Sequence, residues 1–297
     1  MNELVDYESV GFARIDERTW QKSIRGRVFT FRELRALDEL EIAERMQRDV
    51  MKIEGSDVVM ASFLVVSPDT GGFVIGCYEG EREIAVAFGY GGYLHPEPFL
   101  YSDFLVVVED ARSLGIGFEM KRLQALIGRE RGLGSIRWTV DPLRAANARL
   151  NFERLGALGV SYTRDKYGAN FAAGLYGGMP TDRLLLRWPL RTERTLERLT
   201  GSYVPIPDQA LDGLEEVSAR SLGAPQLVVT IPGDIDTLVK AEFDTAMRYR
   251  METREKIELA FAAGYFVSGA ARTGSQSRLL LEPAAMFEET IEETENE

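Results

Sequence analysis

Arg112, Gly115 and Gly117 stand in an R-x-x-G-x-G arrangement just after the apolar run Phe99–Val108. Glycines remove side chains, so backbone N–H groups can approach an anion closely. If a helix starts here, its first N–H groups lack intrahelical acceptors and carry the positive end of the dipole. Arg112 adds a permanent positive charge suited to phosphate oxygens. The chemistry on offer across Arg112, Ser113, Leu114, Gly115, Ile116 and Gly117 is the holding of a pyrophosphate. A strand-turn-helix that uses two glycines for packing would carry the same letters. A dinucleotide fingerprint is excluded, because its third glycine would have to replace Met120, and the Gly-Lys-Ser/Thr ending of a P-loop is missing.

The elements around this turn are predicted from periodicity. Phe99–Val108 is too short for a helix of usual length and reads as a buried strand, while Gly117–Glu130 has helical spacing through Met120, Leu123 and Ile127. Upstream, residues 26–31 read as a short strand and Glu33–Lys52 as an amphipathic helix or helix pair. Gly72–Glu79 and Glu83–Tyr90 follow as a hairpin. Downstream come a strand Ser135–Val140, a helix Arg144–Leu155 closed by Gly156, and strands Val160–Arg164 and Arg183–Trp188. This order predicts a mixed α/β sheet with helices on both faces over residues 1–190. Residues 191–297 read as a C-terminal α+β subdomain: a charged helix Arg191–Thr200, a strand Gln226–Ile231, one long helix Ile235–Ala263, and a hairpin from Tyr265–Gly269 and Arg278–Glu282. In the last stretch, Phe287–Glu297, six of eleven residues are Glu, the composition of a disordered acidic tail.

Composition narrows the classes. The chain has 297 residues, 45% hydrophobic and 28% charged, the balance of a globular protein. With 47 acidic against 35 basic residues and a formal charge of -12, it lacks the basic stripe that nucleic acid requires. One cysteine, Cys77, excludes a disulfide within the chain, and one histidine, His95, with no Cys/His cluster beside it, makes no metal site. The N-terminal residues do not read as a signal peptide and no run of about 18 apolar residues occurs, so the expectation is a cytoplasmic protein without a membrane span.

The strand, the R-x-x-G-x-G turn and the helix, in this order of elements, resemble the GNAT acyltransferase superfamily over roughly residues 26–190. The resemblance implies a mixed, mostly antiparallel sheet flanked by helices on both faces. It also implies acyl-CoA, as acetyl-CoA or succinyl-CoA, for a co-substrate, with no metal. Leu105 and Val107 would then offer backbone groups to the pantetheine arm, and Arg112 through Gly117 would hold the pyrophosphate. A second segment, Trp138–Leu143 followed by Asn147–Gly156, is similar to the strand and helix that flank the CoA arm. There Asn147 and Asn151, four apart on a helix face, either bond the pantetheine or serve as cap and surface amides. Together with Lys121, Gln124, Tyr167, Gly168 and Pro180–Arg183, these residues resemble a bacterial branch of predicted GNAT proteins linked to N-acylamino acid racemases.

The resemblance implies acyl transfer to the amine of a small molecule, an amino acid among the candidates. Such transfer needs a base for the amine, a donor to the carbonyl, and a proton for the thiolate. Asp103 shares the side-chain parity of Leu105 and Val107 on a regular strand, as does Tyr101. Asp103 is the first candidate for the base, with Tyr101 and Glu109 behind it and a strand-edge structural carboxylate as the alternative. Many family members carry a tyrosine on the helix after the fifth strand as the thiolate's acid; here Phe152 occupies that position. Tyr162, Tyr167 or Tyr176 would have to serve instead, or water. A chain that has lost turnover would be a catalytically weak, CoA-binding sensor. The role of residues 191–297, whether covering the site, forming a homodimer or closing the sheet, stays open at this point.

Overall fold

The computed structural model describes residues 5–53, 55–168 and 178–287. Tyr176 and residues 288–297 of the acidic stretch lie outside them. The chain divides into two compact units, residues 1–137 with 199–201, and residues 138–198 with 202–297. Both are built on mostly antiparallel sheet flanked by helices, the mixed α/β class expected from the order of elements.

In the first unit the strands β1 (Ala13–Arg14), β2 (Thr19–Ile24), β3 (Arg27–Leu34), β4 (Phe73–Glu79), β5 (Arg82–Leu94) and β6 (Glu97–Val107) pair in sequence order, each antiparallel to the next. Residues 135–137 of β7 (Ser135–Val140) then pair parallel to β6. Between β3 and β4 lie α1 (Leu37–Asp49) and the short α2 (Ala61–Leu64), and α3 (Ile116–Glu130) joins β6 to β7. Leu40, Ile42, Ala43 and Met46 of α1 and Ala61 and Leu64 of α2 bury against Val86, Phe88, Phe104 and Val106 of β5 and β6. Their spacing on α1 is the helical recurrence that placed a helix there. The opposite face of β6 meets α3, where a Cβ on Gly117 would lie 3.5 Å from Leu105 and 3.8 Å from Val107 side chains. Helices therefore cover both faces of this sheet.

The strands β1 and β2 were not anticipated. Thr19–Ile24 carries Gln21, Lys22 and Ser23, and only Trp20 and Ile24 are buried. Its period-two signal is too short to stand out from the polar residues around it.

The second unit contains β8 (Leu158–Thr163) paired with β9 (Arg183–Pro189), and β11 (Tyr265–Thr273) paired with β12 (Gln276–Pro283), which pairs with β10 (Leu227–Pro232). Val267 joins β11 to Gly159 of β8. The predicted helix Arg144–Leu155 runs as α4 (Ala145–Ala148) and then widens into a π-helix over Arg149–Leu155, ending at Gly156 in the left-handed conformation. The predicted single helix Ile235–Ala263 is two, α6 (Ile235–Ala241) and α7 (Phe243–Ala262), numbered after α5 (Glu193–Thr200); Glu242 breaks it with an extended φ of -146°. Trp138 and Trp188 are buried with ring centroids 6.1 Å apart. Among the described residues no helix is long and apolar enough to cross a membrane.

Candidate functional site

β6 carries most of the candidate residues, and its backbone departs from a regular strand twice. The parallel ladder with β7 runs Phe99↔Ser135, Leu100↔Ile136 and Tyr101↔Arg137 and ends there, while β6 continues to Val107. The antiparallel ladder with β5 shifts register, since Phe88 faces Phe104 but Gly89 faces Ser102. Asp103 is the extra residue of a β-bulge, which kinks a strand and re-aims its side chains.

The bulge corrects the parity expected from sequence. Leu105 and Val107 face α3, and so does Ser102, whose hydroxyl contacts Lys121 and Gln124 of that helix. Tyr101 falls on the other face, its ring stacked on Tyr90 at 5.3 Å, and Tyr90 lies 5.9 Å from Phe88 in the apolar core. Tyr101 therefore does not share a side with Leu105 and Val107. One inserted residue reverses a period-two pattern, and no residue type at position 103 announces it. Asp103 itself is exposed, and so is Glu109, the first residue of a 3-10 turn Glu109–Leu114.

That turn leads directly into α3. Val108 closes the pairing with β5 by donating its N–H to Ile84 O at 3.0 Å, and the buried Ala111 anchors the turn. Arg112 is exposed and donates from Nε to Val107 O at 3.3 Å, which folds its side chain back over the end of β6. Asp110 would set a negative charge beside an anion site, but Arg82 binds both its carboxylate oxygens at 2.7 and 2.8 Å. That bond is the main cause holding the Asp110 carboxyl below its ordinary pKa.

The two glycines differ in why they are glycine. Gly115 has φ +91°, a left-handed conformation that side-chain-bearing residues rarely adopt, and it delivers the chain into α3. Gly117 sits within α3, where an added Cβ would meet nothing closer than an ordinary 3.5 Å contact. Neither conformation nor packing requires a glycine at 117. The missing side chain instead leaves the first-turn N–H groups of a 15-residue helix open to an approaching group. The residues thus fit a pyrophosphate: a cradle that a side chain would fill, helix-end donors, and Arg112 alongside.

Beneath β6 lies a polar group that sequence reasoning quoted without giving it a role. Lys121 is buried and donates from Nζ to Ser102 Oγ at 2.8 Å, and Ser102 Oγ lies 3.2 Å from Gln124 Oε1. Gln124 Nε2 is buried without a hydrogen-bond partner. Burial pushes the Lys121 ammonium down to about 7. The signal was present in the sequence, since Lys121 follows Gly117 by one helical turn on the face that packs against β6.

Other candidates belong to the second unit. Asn147 is exposed and Asn151 buried, so they do not present one face; the switch from α to π winding after Ala148 removes the four-residue spacing that would align them. Phe152 is fully buried. Tyr167 is 40% exposed, with its hydroxyl 3.2 Å from Thr139 Oγ1 and its N–H donating to Thr181 Oγ1. Tyr162 donates to Asp182 at 2.7 Å; burial first, then that bond, raise its pKa well above the usual phenol range, so it holds its proton. Arg254 binds the same fully buried Asp182 at 2.8 and 2.9 Å. On α7 Arg248 is exposed, while Arg250 is buried and bonded to Asp141 at 2.7 Å.

Cys77 is buried in β4 with its thiol pKa pushed up by burial, the reverse of an activated nucleophile. Among the described residues no group of three or more His, Cys, Asp and Glu side chains is gathered to hold a metal ion.

No protein-family model and no curated protein sequence matches the chain. Solved structures with a similar fold include the ribosomal-protein-S18-alanine N-acetyltransferase from Escherichia coli, at 17% identity and a TM-score of 0.43 over 55% of this chain and 94% of that one. A putative acetyltransferase of the GNAT family from Desulfovibrio desulfuricans is similar at 15% identity and 0.44, over 55% of this chain and 99% of its own. The ribosomal-protein-S5-alanine acetyltransferase from Vibrio fischeri gives 10% and 0.44, over 55% and 93%. At such identities and scores, function rests on the residues themselves.

Proposed function

We propose that the chain is an acyl-CoA-dependent N-acyltransferase that moves an acetyl or succinyl group to the amine of a small molecule, an amino acid among the candidates. The observation that carries this is the open cradle at Gly115–Gly117, at the start of a helix and at the end of a strand that has left its parallel partner. Strand β6 past Tyr101 supplies backbone donors and acceptors that can pair with the amides of a pantetheine arm, with Leu105 and Val107 as the contact positions. Arg112, Ser113, Leu114, Gly115, Ile116 and Gly117 hold the pyrophosphate. Acyl-CoA supplies the activated thioester, and the protein's part is to orient it and to manage protons. Asp103, carried outward by the bulge, is the candidate base that takes a proton from the incoming amine. Tyr101 and Glu109 rank behind it. Asn147 and Asn151 as pantetheine contacts and Tyr167 as the thiolate's acid rest on resemblance alone. Leu105–Gly117, the proposed donor-holding residues, lie in the first compact unit, whereas residues 138–190 fall with residues 202–297 in the second, so the boundary expected near residue 190 lies at 137/138 instead.

Phe152 favours a second reading. A buried phenyl at the family's tyrosine position has no proton to give, as expected of a module that binds CoA as a sensor. Thermal shifts with CoA, acetyl-CoA and succinyl-CoA test the shared claim, and no stabilisation by any of them overturns it. Thiol release on adding L- and D-amino acids to the stabilised complex separates the enzyme from the sensor.

A further inference from the structure

The turn between β1 and β2, the end of β3 and the first turn of α1 border a recess of about 440 Å3, lined by Asp16, Glu17, Arg18, Thr19, Arg32 and Glu39. Its volume is that of a small-molecule site, and five of its six lining residues are charged, which suits a charged occupant rather than an apolar one. Strand register brings these residues together. Thr19 of β2 lies directly opposite Arg32 of β3, so their side chains share one face of the sheet. Arg18 precedes that pair, its carbonyl accepting from Glu33 N at 2.8 Å. The turn itself is closed by Ile15 N and Asp16 N, which both donate to Thr19 O, at 2.9 and 3.3 Å.

Two of the three carboxylates are engaged by the backbone. Asp16 accepts from Arg18 N at 2.7 Å, and Glu39 accepts from Arg35 N at 3.0 Å and Ala36 N at 3.2 Å. The N–H bond from Arg18 holds the Asp16 carboxyl below its ordinary pKa. Partial burial pushes Glu39 up, but its two N–H bonds and then the charges of Arg32 and Arg18 bring it below the ordinary value, so both carboxylates stay ionised at neutral pH. Arg32 is held by the Tyr78 ring, 5.3 Å from its guanidinium carbon, and by Glu39 at 3.7 Å. Arg18 is half-buried, and neither its guanidinium nor the exposed Glu17 carboxylate makes a hydrogen bond or ion pair among the described residues. A cation and an anion thus stand unmatched in one recess, on a turn whose backbone is fixed.

We infer that this recess binds a small free α-amino acid as its zwitterion, with the carboxylate on Arg18 and Arg32 and the ammonium on Glu17. An anion alone would meet three carboxylates, and a cation alone would meet two guanidiniums. A ligand that carries both charges on adjacent carbons answers both, and a guanidinium fork matches a carboxylate in shape as well as charge. The site stands apart from the Gly115–Gly117 cradle. In the sheet β4 and β5 lie between β3 and β6, three strand spacings or about 14 Å. The inference therefore holds whether or not the acyl-donor reading does.

Calorimetric titration of the full chain with L-alanine, L-alaninamide and N-acetyl-L-alanine tests this. Alaninamide keeps only the ammonium and N-acetylalanine only the carboxylate. Alanine is expected to bind, and each of the others to bind at least about tenfold more weakly, the loss of one charge-assisted hydrogen bond. Arg18→Gln and Glu17→Gln should each weaken alanine about tenfold with unchanged melting curves in its absence, since neither side chain has a partner in the fold. In amide NMR, alanine should shift Arg18, Thr19, Arg32 and Glu39, with or without CoA. Four results overturn the inference: no binding of alanine up to about 10 mM, equal binding of alaninamide, normal binding by both variants, or shifts confined to β6, which would place the amino acid at an acceptor site. The CoA thermal shift, read on the same samples, reports separately on the acyl-donor site.

Discussion

The two faces of β6 are built on opposite terms. Toward α1 and α2 the strand presents Phe104 and Val106 to a dry cluster in which each ring touches another. Toward α3 it presents Ser102 to a buried lysine and a half-satisfied glutamine, then Leu105 and Val107 to a glycine. The first face gains from dispersion and exclusion of water. The second gives up part of that gain to hold polar groups and an unfilled space beside a helix terminus. The fold is held by one side of the strand, and the candidate chemistry has been allowed onto the other.

The largest effect should come from breaking the dry face. Phe88→Ala removes a ring in contact with Phe63, Tyr90 and Phe104 and is expected to cost about 3–5 kcal/mol in urea unfolding. The reverse sign is expected across the strand. Lys121 binds a proton at about 7 in the folded chain against an ordinary 10.5, so between those values the unfolded chain holds more protons. Unfolding free energy should climb with pH through that window and level off above it, while below 7 the buried charge opposes folding in full. Lys121→Met should flatten this climb and raise stability at pH 6, by on the order of a few kcal/mol. A variant less stable than the parent at pH 6, with the slope retained, would show that Lys121 supports β6 as a cation.

The same asymmetry governs what could be read from sequence. α1, the β4–β5 hairpin, β6 and α3 were legible because burial on one face imposes a period, and Arg112, Gly115 and Gly117 were legible because the turn's chemistry is local. The side of Tyr101 was not, since the Asp103 bulge arises from pairing with Phe88 and Gly89 of β5 rather than from its own neighbours, and it inverts the parity of every residue before it. The shared helix face expected of Asn147 and Asn151 was not formed for a related reason: four-residue spacing presumes α winding, and Arg149–Leu155 winds as π. The contacts that link Phe63, Phe88, Tyr90 and Tyr101 were not legible because these residues come from three separate elements.

Gly117→Glu attacks the polar face where space, not stability, is at issue. The added carboxylate enters the cradle as a like charge to a pyrophosphate, and CoA affinity should fall by roughly a hundredfold. Melting temperature in the absence of CoA should hold, because the site has ordinary contact distances for a Cβ. Loss of folding without loss of affinity would return Gly117 to a packing role.

The smallest effect belongs to Arg112→Ala. The side chain is exposed and its bond to Val107 O is long, so stability should not change measurably. Its expected part is a charge held near phosphate oxygens in solvent, where attraction is weak and screened by salt. Titrations of CoA should therefore show a loss of about tenfold at low ionic strength that narrows as salt is raised toward about 1 M. Arg82→Ala is the matched control: freeing Asp110 leaves an acid beside the turn and should weaken CoA with the same salt dependence. If Arg112→Ala loses affinity equally at all salt concentrations, the guanidinium acts through its hold on the end of β6, and the polar face is then organised by backbone geometry rather than by charge.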